Sequence, residues 1–502
     1  MTLSCFDPLT TDAVDLQLML ESNKITSVQI IEQCLQQIER HEAVLNALIS
    51  VAPRETLLHI AAALDDERRA GHIRSPLHGI PIVLKDCFIT ASELGMTTTA
   101  GSVVFAGATA SKNGVIVQKL IDAGLIIIAK GNMTEFAGMK TIKMMPGWSS
   151  YGGQTISPYT GAIKPNERLL GHSAPGGSST GSAVAVAAGY SPLAMAGETI
   201  GSIVTPTVRT ALFALKPTHG VQDAAGMYRM AEFFDTPGPM GKCAADVISL
   251  SEILLGRSLQ SARDRNLKDL SIGFVDPNKW KMAEAMCEQF EGTEAQMIRV
   301  YEAAVARIEQ NGGAVKYPIE IAELSALEVD GKDAIMPIAY SDFKNLGIPA
   351  FIEGFDDCPV SSLQDIVDFN LRNKSTAMPE PYPEQDQLIQ ALNTTEGGED
   401  LARLKKKFRE LGKSIINEVL DREKVHVIVT PGDSPLCIHA AVAGYPHVTV
   451  PLGVLDYNGR PFGLCVIGKE HEEELLLHFM AAYESISPPR AVPLRIETSR
   501  AI

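Results

Sequence analysis

The chain has 502 residues, a length that accommodates two or three average domains and that single α/β enzymes also reach. Hydrophobic residues make up 45% and charged residues 21% of the chain, as in an ordinary soluble globular protein. The 60 acidic residues outnumber the 44 basic ones and give a net charge of −16. This balance argues against a nucleic-acid-binding protein, because such proteins depend on cationic contacts to phosphate.

The eight cysteines show no CxxC pair and no regular spacing, and the polar, acidic N-terminal residues do not resemble a signal peptide. We therefore expect reduced thiols in a cytoplasmic protein that binds no metal. The most apolar segment of near-membrane length, residues 114–129, is interrupted by a glutamine and two charged residues. The sequence thus predicts no membrane span.

The first 75 residues are predicted to be helical, and Thr26 and Gln29 form a predicted capping box. From residue 77 onwards, short β-rich segments alternate with helical ones. Residues 80–84 are a predicted strand, 115–123 a helix and 125–129 a second strand. Such alternation predicts a largely parallel sheet with helices on both faces.

Residues 146–181 are rich in Gly, Ser and Pro, and loops of this length in compact domains tend to be functional or disordered. Residues 257–425 are more polar, and we predict an elaborated, substrate-facing insertion there. A helix is predicted at 182–189 and an apolar run follows at 192–196. Further predicted elements are strands at 427–430, 447–450 and 462–467 and a helix at 470–484. Because strands come from both halves of the chain, we predict one domain over 1–502, with 1–75 as its N-terminal helical segment.

Lys85 stands at the end of the apolar segment GIPIVLKDC, residues 79–87. Desolvation at such a position lowers the pKa of a lysine and makes it a candidate base. The structural alternative is an ion pair with Asp86 or another carboxylate.

Two Gly/Ser segments carry candidate nucleophiles. GGSSTGSA, residues 176–183, is compatible with a flexible loop or with a nucleophile elbow centred on Ser179, whereas a phosphate loop would need a following lysine. GETIGSIVTP, residues 197–206, offers backbone amides around Ser202 that could stabilise an oxyanion. A Ser-His-Asp site also stays open, with these histidines near small-residue loops: His172, His219 and His439.

In combination, these segments resemble the motifs of the amidase signature family. GIPIVLKD, GGSSTGSAVAVAAG, GETIGSIVTP and ALKPTHG follow the family patterns, and Ser178 and Ser202 have the family's spacing of 24 positions (202 − 178). AKGNMTEFAG and AGYPHVTVPLG also match. The resemblance extends over about 10–225 and 425–485 and is weakest between them.

The resemblance implies a large twisted mixed, mostly parallel sheet with helices on both faces, and a cofactor-free Ser–cisSer–Lys triad. Ser202 would attack the amide carbonyl, Ser178 would relay the proton after a cis peptide bond, and Lys85 would be the base. The implied oxyanion hole consists of the backbone N–H groups of Thr199, Ile200, Gly201 and Ser202. The implied substrate-binding residues are Asn132, Met133 and Ser179.

Three residues depart from the family pattern. Thr180 and Ile200 each replace a glycine, and a β-branched residue at position 200 would be strained at positive φ. Val204 replaces an arginine, which leaves Glu198 without that partner unless Arg209 substitutes. These departures resemble fungal secondary-metabolism amidases more than the A-type component of tRNA-dependent amidotransferases.

The sequence therefore predicts an amidase acting on a small or medium metabolite amide through an acyl-enzyme, with a homodimer as a candidate assembly. Two alternatives keep the same acyl-enzyme. One is a glutaminase component of the amidotransferase A type, and the other is a biosynthetic acyl transferase or esterase. A non-catalytic binding protein with a fossil site is a further alternative.

Overall fold

The structure is a computed structural model that describes residues 5–498. Its strands are β1 (Leu48–Val51), β2 (Pro81–Lys85), β3 (Ile126–Gly131), β4 (Trp148–Ser149), β5 (Gly153–Gln154), β6 (Leu193–Glu198), β7 (Phe213–Lys216), β8 (Thr236–Gly241), β9 (Ser271–Val275), β10 (Ala314–Ile319), β11 (Val427–Pro431), β12 (His447–Val454) and β13 (Pro461–Ile467).

The α-helices within the described residues are α1 (Ala13–Glu21), α2 (Ser27–Leu45), α3 (Arg54–Arg69), α4 (Val115–Asp122), α5 (Thr180–Ala187), α6 (Val204–Val208), α7 (Ala244–Leu255), α8 (Glu291–Gln310), α9 (Ile335–Asp342), α10 (Ile348–Glu353), α11 (Leu363–Arg372), α12 (Lys374–Ala377), α13 (Asp386–Asn393), α14 (Gly398–Glu423), α15 (Cys437–Ala443), α16 (Glu473–Ile486) and α17 (Leu494–Thr498). None of these helices combines the length and the hydrophobicity that crossing a lipid bilayer requires.

Eleven strands form one mixed sheet in the order β1-β3-β2-β6-β8-β7-β12-β13-β11-β9-β10. The predicted mixed sheet is confirmed, but its balance of directions differs from the expectation. Strand β2 pairs in parallel with β3 and β6, and β9 pairs in parallel with β10 and β11. The other neighbouring pairs are antiparallel, and they are the majority.

Strand β8 accounts for much of this difference, because it runs antiparallel to both β6 and β7. Its sequence, TPGPMG, contains two prolines and two glycines and has no apolar period, so it resembles a loop. Only pairing with strands distant in the chain makes it β structure.

Two further elements depart from the sequence prediction. The N-terminal segment is not wholly helical, since β1 lies within it and pairs with β3. The region 257–425 contributes β9 and β10 to the sheet, so part of it belongs to the core. The substrate-facing role of this region and the single domain over 1–502 stay predictions.

The core lies on both faces of the sheet, because neighbouring residues of one strand point to opposite sides. Val427 and Val429 of β11 pack in a cluster with α7, α8 and α16, whereas Ile428 packs in the larger cluster with α2, α5 and α15. The predicted helical cover on both faces is thereby confirmed. Loops at the strand ends bring the candidate site together.

Candidate active site

Lys85 is the last residue of β2, and only 3% of it is exposed. Its Nζ donates hydrogen bonds to Ser178 Oγ at 2.8 Å and to the Gly197 carbonyl at 3.1 Å. Asp86 instead faces Lys130, whose Nζ lies 3.6 Å from Asp86 Oδ1. The alternative in which Lys85 pairs with Asp86 is therefore contradicted.

Burial controls the protonation of Lys85. It lowers the pKa of the ammonium group, because a charged group loses its hydration in the interior. The acidic groups Cys87, Asp235 and Glu198 raise this pKa wherever they are ionised, because a negative charge favours the protonated lysine. A lysine whose pKa falls towards neutrality can accept a proton at physiological pH.

Ser178 connects Lys85 to Ser202. It lies just before α5, and the Gly177–Ser178 peptide bond is cis. Its Oγ donates to Ser202 Oγ at 3.0 Å, and its carbonyl accepts a hydrogen bond from the Thr134 amide at 3.1 Å. The structure therefore brings the three predicted residues into one continuous hydrogen-bonded chain.

Ser202 lies in the turn between β6 and α6. Gly201 takes up the left-handed conformation of this turn, with φ of +85°, which glycine adopts without steric cost. Ile200 is not among the residues with positive φ, so the strain anticipated at this position does not arise. Thr205 joins this turn to the Ser178 loop, because its hydroxyl lies 2.9 Å from the carbonyl oxygens of both Gly177 and Gly201.

The carboxylate of Glu198 holds the Ser202 turn in place through hydrogen bonds to its backbone. It accepts hydrogen bonds from the backbone amides of Gly201, Ile203 and Val204. The amide of Gly201 is therefore engaged already. Within the described part of the chain, the amides of Thr199, Ile200 and Ser202 have no acceptor at hydrogen-bonding distance.

The comparisons with known proteins agree with this geometry. The family model for Amidase matches residues 29–434. The chain belongs to the amidase family. Membership in the amidase signature family, as the motifs predicted, makes it an amidohydrolase.

Relatives of the amidase family share about a quarter of their residues with this chain. A Schizosaccharomyces pombe protein described as "Putative amidase" is 27% identical, with 95% of this chain and 85% of the relative covered. A probable amidase of Arabidopsis thaliana is 26% identical over 95% and 90% of the two chains. A glutamyl-tRNA(Gln) amidotransferase protein of Symbiobacterium thermophilum is 28% identical over 95% and 96% of the two chains. Native peptide amidase from Stenotrophomonas maltophilia superimposes with a TM-score of 0.83 at 29% identity, covering 96% of this chain and 98% of that chain.

Different local contacts accommodate the residues that depart from the amidase family pattern. Arg209 does not substitute for the missing arginine, since its guanidinium donates to Asp433 at 3.0 Å and to carbonyls of the 170–174 loop. Burial raises the pKa of Glu198, whereas the hydrogen bonds from the three backbone amides and the positive charge of Lys216 lower it. Thr180 donates to the Gly176 carbonyl at 2.6 Å and so braces the loop that carries Ser178.

Two of the predicted substrate-binding side chains are committed to contacts within the protein. Asn132 is fully buried and donates to Gly153, Thr155 and Gly147, while its carbonyl oxygen accepts from Met133 N and Ser149 Oγ. Ser179 is fully buried, and its Oγ donates to the Gly197 carbonyl at 3.0 Å. Contact between substrate and any of Asn132, Met133 and Ser179 stays a prediction.

The other candidate arrangements receive no support from the geometry. The nucleophile-elbow interpretation is contradicted, because no strand directly precedes Ser179 among the described residues and its Oγ donates to the Gly197 carbonyl. His172 and His219 bond through Nε2 to the carbonyls of Glu288 and Glu232, and His439 packs against Trp280. None of the three forms a hydrogen bond with Ser178 or Ser202 in the described structure.

Sequence reasoning missed two residues of the site. Thr205 had a local signal, since it lies one helical turn after Ser202. Asp235 had none, because it is far from Lys85 in sequence, although its charge acts on that lysine.

Proposed function

We propose that the chain hydrolyses a carboxylic amide through a covalent acyl-enzyme on Ser202. The observation that carries the proposal is the hydrogen-bonded chain from Lys85 Nζ through Ser178 Oγ to Ser202 Oγ. A serine is a weak nucleophile until a base removes its proton, and this chain joins the hydroxyl to a buried lysine.

In the first step, Ser202 Oγ attacks the amide carbonyl carbon. Its proton passes to Ser178 Oγ, and the proton of Ser178 passes to neutral Lys85, so that Ser178 ends as it began. The tetrahedral intermediate then expels the amine, which takes the proton back from Lys85 through Ser178. The C–N bond breaks, and the acyl group remains on Ser202.

Water completes the cycle. Neutral Lys85 accepts the proton of water through Ser178, the hydroxide oxygen attacks the acyl carbon, and the proton then returns to Ser202 as the acid leaves. One amide and one water become one carboxylic acid and one amine, and the enzyme is regenerated.

The oxyanion of both intermediates would be stabilised by backbone amides next to Ser202. Thr199, Ile200, Gly201 and Ser202 were the predicted donors. Since the Gly201 amide donates to Glu198, we assign the main contribution to the other three amides, those of Thr199, Ile200 and Ser202. Such fixed donors stabilise developing charge without reorganisation.

The test uses an activated fluorophosphonate, which reacts with a nucleophilic serine, together with a panel of amides. We expect labelling of the native enzyme and of Ser179→Ala, and no labelling of Ser202→Ala. Turnover of any amide that the panel identifies should fall by several orders of magnitude in Ser202→Ala. Labelling that persists in Ser202→Ala and disappears in Ser179→Ala would reverse the assignment.

The amidotransferase relatives favour one second candidate, a glutaminase that passes ammonia to a partner-bound substrate. Glutamine hydrolysis that needs a co-purifying tRNA-binding protein would support it. An added amine nucleophile that diverts the acyl group would instead indicate a biosynthetic acyl transferase. The metabolite substrate, the link to secondary metabolism, the cytoplasmic location and the homodimer stay predictions.

A further inference from the structure

We propose that Asp235 is a positioning residue that sets the basicity of Lys85. The inference rests on the proposed function, in which neutral Lys85 is the base. It concerns a carboxylate that belongs to none of the sequence motifs.

The register of the sheet brings Asp235 to the site. Strands β6 and β8 are antiparallel, and Glu198 lies opposite Thr236. Continuing this register by one residue on each strand puts Asp235 opposite Thr199, on the face of the sheet that Gly197 turns towards Lys85. On that face, the Cβ position of Gly197 lies 3.9 Å from Lys85 Nζ. Asp235 is buried, with only 8% of its surface exposed.

The two oxygens of Asp235 have different surroundings. Oδ2 accepts hydrogen bonds from the amides of Met230 and Ala231. Oδ1 is buried and has no hydrogen-bond partner among the described residues. Asp235 also lines a polar cavity, together with His219, Asp223 and Arg229. A buried carboxylate with one unsatisfied oxygen retains much of its field for a nearby cation.

The groups that face Lys85 leave Asp235 as the main source of this field. Cys87 is a neutral thiol, because burial raises its pKa to about 12. Both oxygens of Glu198 already accept hydrogen bonds from backbone amides, three in all. Burial raises the pKa of Asp235 to about 6, so its carboxylate is ionised above that pH.

Other titratable groups around Asp235 do not replace it. Tyr228 stays neutral because burial raises the pKa of its phenol. In the polar cavity, His219 is neutral above a pKa of about 4, and Arg229 pairs with Glu232 at 3.7 Å. Asp223, also in the cavity, is exposed and caps the Ala225 amide.

This arrangement resolves a conflict in the site. Burial of Lys85 favours the neutral form, but a lysine whose pKa falls too far becomes a poor proton acceptor. The carboxylate of Asp235 offsets part of the effect that burial has on the pKa of Lys85. It holds Lys85 basic enough to take the proton from Ser178, without touching the substrate.

The experiment measures the second-order rate of fluorophosphonate labelling of the full chain as a function of pH. In Asp235→Asn, removal of the negative charge should lower the pKa of Lys85. The rising limb should therefore move to lower pH by about one unit, and the plateau should fall. Asp223→Asn is the matched control: it removes a carboxylate that lines the same cavity and also caps a turn, and its midpoint should stay at the native value.

A second variant covers the case in which Asp235→Asn does not fold. Asp235→Ser keeps a hydroxyl oxygen near the Met230 and Ala231 amides and removes the charge, so it should give the same displacement. An unchanged midpoint in either folded variant, with lower thermal stability, would show that Asp235 only caps this turn.

The same measurement on Lys85→Ala separates this inference from the proposed function. If Lys85→Ala keeps the native midpoint, Lys85 is not the base, and the proposed function fails together with this inference. If Lys85→Ala loses the limb while Asp235→Asn keeps it in place, only the role of Asp235 is overturned.

Discussion

Glu198→Gln tests how the Ser202 turn is held. The carboxylate accepts one backbone amide on Oε1 and two on Oε2. Glutamine has a single acceptor oxygen. If that oxygen serves Ile203 and Val204, the Gly201 amide faces the new NH₂ group and becomes an unsatisfied buried donor.

The cost follows from the bonds that change. One unsatisfied buried donor costs about 1–3 kcal/mol, and exchanging a charged for a neutral acceptor weakens each of the other two bonds by about 1 kcal/mol. The substitution also removes the cost of burying a charged group, and this recovers part of the lost stability. The raised pKa of Glu198 reflects that cost. We expect a net loss of about 2 kcal/mol in the free energy of unfolding.

Urea denaturation followed by tryptophan fluorescence measures the stability, and fluorophosphonate labelling reports the position of Ser202. We expect a lower urea midpoint and a labelling rate reduced at least about tenfold, since a change of about 1.4 kcal/mol in an equilibrium corresponds to a factor of ten. Glu232→Gln is the control, because its half-exposed ion pair with Arg229 contributes at most about 1 kcal/mol. A Glu198→Gln protein with native stability and native labelling would refute the reasoning.

Three further results are expected. Activity should rise with pH until Lys85 is deprotonated, because Lys85 must be neutral to act as the base and burial lowers its pKa. Lys85→Ala should abolish this rise. A rate that is greatest near pH 5 and insensitive to the substitution would contradict the expectation. Ile200 is half-buried beside Ser202, so Ile200→Gly should raise kcat/KM for bulky amides relative to small ones by about 10–200-fold. If kcat/KM over a size series of amides keeps the native profile, Ile200 is a packing residue. Exhaustive chelation should leave activity unchanged, whereas recovery with zinc or manganese after inactivation would reveal a metal requirement.

The amino-acid sequence alone was sufficient for the features that local patterns encode. Lys85 at the end of an apolar run, and two serines separated by 24 positions in Gly-rich turns, predicted the residues that now form one hydrogen-bonded chain. The strands and helices with strong periodicity, such as β3 and α4, were also predictable, because side-chain period and secondary structure are coupled along a short stretch.

Tertiary structure decided the partners. Arg209 was a candidate partner for Glu198, yet it pairs with Asp433, 224 positions away, because the loop after β11 packs against α6. Asp235 reaches the site only through the antiparallel register of β6 and β8, and β8 itself becomes a strand only between its two neighbours. Charges and hydrogen-bond donors act over a few ångströms of space whatever their distance in sequence, so the packing of distant segments determines which of them meet.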